Sequence, residues 1–183
     1  MTEKIKKLDF CYENLLVKVI SDSDHPEIEL AGLSIGPFKQ GNEYEVYYWV
    51  AKELVASNVV HFRDEELDLT KLYKIQWRER NQIAGQISKL PKEFYPKLRR
   101  YLFNYKKELS LYPEKIRDYD KAKDLAWDIV NSRLKKIVTL SSGPNQTDIF
   151  LKKLTNEERF VHQKLGQIIN NWKDHILSLK GVN

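Results

Sequence analysis

The apolar positions of this chain change period once, near residue 63. Before that point they come in short runs, and after it they recur at three- and four-residue spacing. "NLLVKVI" (14–20) is aliphatic and β-branched and is closed by the polar "SDSDHPE", which predicts a strand followed by a loop. Short strand-like pieces follow around Ile28 to Leu30 and Leu33 to Ile35, each ended by a glycine or by Pro37. In "EYEVYYWVAKELVASN", Val46, Trp49, Val50, Leu54 and Val55 fit one face of a short helix with Asn58 as its stop, and "VVHF" predicts a closing strand.

From Asp64 onward the pattern is helical. Leu69, Leu72, Ile75 and Gln76 share a face in "LDLTKLYKIQWRERNQ". The pattern breaks at Pro91, restarts near Glu93 and keeps Phe94, Leu98, Tyr101, Leu102 and Tyr105 in register, with Pro96 tolerated in the first turn. Between Pro113 and Gly143 there is neither glycine nor proline, and Ile116, Tyr119, Ala122, Ala126, Ile129, Val130, Leu134 and Ile137 form a broad stripe. At 1.5 Å per residue such a helix is roughly 40 Å long, so part of its stripe is expected to pack against another subunit. "SSGPNQTD" (141–148) reads as a linker. Thr155 and Glu158 then form a capping-box pattern before a last helix marked by Phe160, Leu165, Ile168, Ile169, Trp172 and Ile176. The expected fold class is α+β: a small N-terminal β-rich domain (1–63), a mainly α-helical domain (64–142), and a linker with a C-terminal helix (143–183).

Composition narrows the chemistry. A chain of 183 residues buries roughly 70% of its unfolded surface and folds without disulfides or metals. The single Cys11 cannot form an intramolecular bridge, and "MTEKIKKLDFCYEN" lacks the apolar core of a secretory signal, so an intracellular setting is expected. The apolar runs are too short to cross a bilayer, so no membrane role is expected. A net charge of +5 leans weakly towards polyanions. If Arg99, Arg100, Lys106, Lys107, Arg133, Lys135 and Lys136 shared one face, they would support sequence-independent DNA contact, although interspersed Glu and Asp favour ordinary solvated faces.

Candidate reactive groups do not form a catalytic pattern. "GLSIGPFKQG" holds Gly32, Gly36 and Gly41, but no Lys-Ser/Thr follows and Pro37 removes an N–H, so the glycines read as turn residues and not as a phosphate cradle. His25, His61, His162 and His175 are too scattered for a metal motif, and Asp22, Asp24 and Glu27 lack the series of a calcium loop. No nucleophile elbow occurs, and Cys11 has only Lys6 and Lys7 nearby to activate it. Glu65-Glu66 and Glu157-Glu158 read as acidic helix starts. No cofactor, no metal and no enzymatic activity are expected.

Several separated motifs keep a recognisable order: Gly36-Pro37-Phe38, Gly41, Val46 with the segment from Trp49 to Leu54, Leu90-Pro91 with Phe94-Tyr95, then Asp128, Arg133 and Ile137. Over residues 14–141 the chain resembles a GINS subunit of the archaeal two-three type, similar to the eukaryotic Psf-two and Psf-three subunits. Where such subunits commonly carry "VEVP", this chain has "VYYW", so a different strand-to-helix corner is expected at Tyr47 and Tyr48. The resemblance implies a non-enzymatic scaffold of DNA replication, in a 2:2 heterotetramer with a paralogous GINS subunit. It implies a bridge between the MCM helicase and a RecJ-like or Cdc-forty-five-like partner, with primase and weak DNA contact as further candidates. Its implied setting is cytoplasmic and chromosome-associated, or nuclear in a eukaryote. Phe94, Leu98, Leu102, Trp127, Val130, Leu134 and Ile137 are expected in helix packing or subunit contact, and Gly36, Pro37, Phe38, Gly41, Val46 and Trp49 in the turns and core of the small domain. The rival reading is a sequence-independent DNA-binding protein using the basic helices.

Overall fold

A computed structural model describes residues 2–30, 32–63, 67–83, 86–143 and 148–178. The chain divides into two compact units, Met1–Glu66 and Leu67–Asn183.

The first unit is built on a sheet. Strand β1 (Leu16–Ser21) lies between β4 (Glu43–Tyr47) and β5 (Val60–Phe62), both antiparallel to it, while β2 (Ile28–Leu30) and β3 (Leu33–Ile35) form a separate hairpin. Helix α2 (Tyr48–Ala56) covers the sheet, and Val19, Phe38, Val46, Val50, Ala51, Leu54 and Val60 form the core. Val46 therefore belongs to a strand and not to the helical face predicted for it; it pairs with Val17, and the helix begins two residues later. The corner explains the shift. Tyr48 donates its backbone N–H to the Leu15 carbonyl at 2.9 Å, which prolongs the sheet ladder to the first helical residue, a bond that proline could not make.

A helix with no counterpart in the predicted elements, α1 (Thr2–Glu13), precedes the sheet. Its sequence carries little apolar periodicity. What ties it to the unit is the buried Tyr12, whose ring lies 4.7 Å from that of Tyr48, which in turn stacks on Phe62. The helix thus depends on a tertiary contact that local pattern does not announce.

Gly36 and Gly41 are turn residues, with φ of 105° and 79°. A Cβ on Gly36 would also approach the Phe38 ring to 3.2 Å. Gly36→Ala is therefore expected to destabilise the first unit by about 1–3 kcal/mol, read as a lowered midpoint of thermal unfolding.

The second unit is helical: α3 (Leu69–Arg80), α4 (Phe94–Glu108), a 3-10 turn (Pro113–Lys115), α5 (Ile116–Ser141), the short α6 (Asp148–Leu151) and α7 (Asn156–Leu177). Pro96 falls in the first turn of α4, where its missing N–H costs nothing. Helix α5 is the axis on which α3, α4 and α7 pack. One apolar cluster joins Leu72 and Ile75 of α3, Phe94 and Leu98 of α4, and Ala122, Leu125, Ala126 and Ile129 of α5. A second joins Ile87, Ile137, Phe150 and Leu154, with Val161 and Leu165 of α7 against it. The C-terminal helix thus completes the helical unit over its first half. Asp68 caps α3 by accepting the Lys71 backbone N–H at 2.7 Å. Asp68→Ala is expected to cost about 1 kcal/mol of stability in urea unfolding.

Candidate assembly surface

Between the two apolar clusters, α5 carries a charge. Ile129, Arg133 and Ile137 follow at four-residue steps, so a guanidinium occupies a core position, fully buried at 0% exposure. Its Nη1 donates to Glu79 of α3 at 2.7 Å and to the Ser88 carbonyl at 3.0 Å. Its Nη2 donates to Glu158 of α7 at 2.8 Å, and its Nε reaches the other Glu158 oxygen. Lys136 adds a second cation, 2.8 Å from Glu79 Oε2, and the Ser88 hydroxyl also donates to Glu79. Tyr95 of α4 donates its hydroxyl to Glu158 at 2.7 Å. Thr155 and Glu158 form the expected capping box, so the same carboxylate both caps α7 and ties it to α5.

The electrostatics follow from this geometry. Burial alone would raise the Glu79 carboxyl, but the Lys136 and Ser88 hydrogen bonds and the Arg133 charge outweigh it and hold it below the ordinary carboxylate range. Burial, then the Glu158 charge and hydrogen bond, push the Tyr95 phenol far above its ordinary value. Two carboxylates facing two cations leave the node near neutral. Its reach across α3, α4, α5 and α7 fixes their register, and its burial keeps it from substrate.

The outer faces of these helices differ from ordinary solvated faces. On α5, Trp127, Leu134 and Val138 stand at seven- and four-residue steps on the side away from the core, with Trp127 69% exposed. On α3, Tyr73 and Trp77 are one turn apart, Trp77 also 69% exposed, while Arg80 and Gln76 anchor to Asp128 of α5 at 2.7 and 2.9 Å. On α7, Val161 and Leu165 pack on the core, and the same stripe continues through Ile168, Trp172 and Ile176, all exposed. The apolar seam of α7 outruns the core its own chain supplies.

The sequence-predicted residues divide accordingly. Phe94, Leu98 and Ile137 are buried in the chain's own core, Leu102 packs against it half-buried and Val130 is half-buried. Trp127 and Leu134 are exposed on the side of α5 away from that core. The long α5 stripe divides in the same way, since Ile116 and Leu134 face outward while Leu125 and Arg133 face inward. In the first unit Phe38 and Val46 are buried, Trp49 is half-buried, and the Gly36-Pro37 bond is cis. The seven cations considered for DNA contact do not share a face, because Arg133 is enclosed and Lys136 is bound to Glu79. Pattern reasoning missed the node, yet its signal was present: Glu79 and Arg133 each stand four residues from an apolar core position, Ile75 and Ile129.

Among the described residues no group of three or more His, Cys, Asp or Glu could hold a metal ion, and no helix is long and apolar enough to cross a membrane. Glu65 and Glu66 lie outside the described residues.

A small sheet unit followed by a helical unit held on one central helix defines a class, and comparison with known proteins identifies it. Residues 66–177 match the model of the GINS complex protein helical bundle domain, and residues 4–61 match that of the PSF2 N-terminal domain. The chain belongs to the GINS family, as a subunit of the Psf2 type. It is similar to the human DNA replication complex GINS protein PSF2, with 26% identity over 176 residues, covering 95% of this chain and 90% of that relative.

Proposed function

We propose that this chain is a structural subunit of a GINS assembly in DNA replication, paired 2:2 with a paralogous GINS subunit, and that the assembly bridges the MCM helicase and a RecJ-like or Cdc-forty-five-like partner. The observation that carries the reading is the apolar seam of α7, packed at Val161 and Leu165 and exposed at Ile168, Trp172 and Ile176. Aromatic and aliphatic residues in such a row are unfavourable in water and gain stability when buried against a matching surface. The outward stripe of Trp127, Leu134 and Val138 on α5 offers a second such surface. Helices with two apolar faces suit a subunit packed among other helices. Its role is to hold geometry, which places the protein at the chromosome and gives it no bond-breaking group.

Absolute mass by light scattering, for the chain alone and after co-expression with a paralogous GINS subunit, tests the reading. A four-chain complex is expected. A stable monomer that ignores the paralogue, combined with DNA affinity falling steeply with salt, would instead favour the DNA-binding alternative.

A further inference from the structure

Along α7 lies a groove of about 570 Å³ whose polar walls are Lys152, Arg159, His162, Gln163, Gln167 and Asn170. No carboxylate is among the lining residues. Three features point to one kind of occupant. First, two cations face the groove, and Arg159 is braced by donation from its Nε to the Leu151 carbonyl at 3.0 Å. Second, Gln163, Gln167 and Asn170 stand at four- and three-residue steps and so form a row of carboxamides roughly 10 Å long along the helix. A carboxamide offers both a donor and an acceptor and so matches the alternating N–H and C=O of an extended backbone, of which about three residues span that length. Gln167 keeps its NH2 for this purpose while its carbonyl accepts from Lys164 at 3.2 Å. Third, His162, only 3% exposed, holds a buried Nε2 that has no hydrogen-bond partner among the described residues, although the ring packs against Phe150. An orphaned buried nitrogen is costly, and a ligand acceptor reaching it removes that cost.

Gly166, buried in the middle of α7, also lines the groove. Nucleic acid fits less well, because a phosphate backbone asks for a track of cations and this groove presents two beside three neutral amides.

We propose that this groove binds an extended acidic peptide segment of a partner protein, with a carboxylate held by Lys152 and Arg159 and the peptide backbone read by Gln163, Gln167 and Asn170. The site is independent of the exposed α7 seam: by helical register the two lie on opposite sides of that helix.

Selection of a phage-displayed library of random twelve-residue peptides on the full chain tests it. Enriched peptides are expected to carry Asp or Glu within an extended motif. Their Kd, measured by fluorescence polarisation with the synthetic peptides, should rise at least tenfold for Lys152→Gln/Arg159→Gln and severalfold for Gln163→Leu, and stay unchanged for Lys107→Gln on α4. Circular dichroism matching that of the unaltered chain keeps the variants interpretable. Failure to enrich any peptide, enrichment without acidic residues, or indifference to these substitutions would overturn the proposal. Displacement of the peptide by an equal concentration of dodecathymidylate would overturn it in favour of nucleic acid.

Discussion

Arg133→Met is expected to destabilise the helical unit by about 3–5 kcal/mol, a large part of the 5–15 kcal/mol that holds a typical domain. The methionine fills much of the volume, so the loss is electrostatic. It strips Glu158 of the guanidinium that holds both its oxygens and leaves Glu79 with Lys136 and the Ser88 hydroxyl. Urea unfolding followed by helical circular dichroism reads the loss as a lower midpoint. Replacing the whole node, with Glu79→Leu and Glu158→Leu added to Arg133→Met, is expected to recover most of the stability, because no charge then stays buried without a counter-charge. Lys136, half-buried with a flexible stem, can turn its ammonium to water. If the triple variant were no more stable than Arg133→Met, the loss would lie in packing and not in charge.

Acidification separates the two forms by sign. Glu79 has a folded pKa held below its unfolded value, so its contribution is full above the unfolded carboxylate range and is lost as pH falls through the folded value. The unaltered chain should therefore keep this contribution from pH 7 down to about pH 4.5 and lose it as the pH falls further. In Arg133→Met the buried Glu79 has lost the guanidinium charge that offset its burial and gains by taking up a proton, so stability should rise as the pH falls from 7 to about 4.5. Unfolding midpoints measured across that pH series provide the check.

Trp172→Glu carries the other large effect, on assembly instead of folding. Trp172 is 62% exposed between Ile168 and Ile176, so its loss removes little from the isolated chain, and the thermal unfolding of the unassembled subunit should change by less than about 0.5 kcal/mol. In an interface, a tryptophan at the centre of an apolar row is a hot spot of about 2–4 kcal/mol, and a carboxylate in its place adds a desolvation cost. Affinity for the paralogous subunit should fall by about 30-fold to 1000-fold, read by sedimentation or by light scattering on dilution. Asn171→Glu, one residue away on another side of the helix, should leave assembly intact. Equal loss from both substitutions would point to charge repulsion in general, and no loss from either would remove the α7 seam from the interface.

The change of apolar period near residue 63 was enough to separate a strand-rich part from a helical one, because alternation and four-residue spacing are consequences of backbone geometry alone. Caps and turns were legible for the same reason: Thr155 with Glu158, Pro96 in a first turn, and glycines at positive φ each satisfy a local requirement. Local rules failed where distant residues decided. Val46 satisfied a helical spacing, yet its place was taken by the ladder to Val17. Helix α1 is anchored by Tyr12 on Tyr48, a contact across 36 residues of sequence. Arg133 sat in a run that looked like a solvated basic cluster, and only the meeting of α3, α5 and α7 turned it inward, where its charge could be matched by Glu79 and Glu158.

Local spacing by itself determined which residues could share a face, since that depends on a few neighbouring dihedral angles. Which of two apolar faces on α5 or α7 became core and which stayed open to another chain was decided by tertiary structure, because burial depends on which partner surface the rest of the chain supplies.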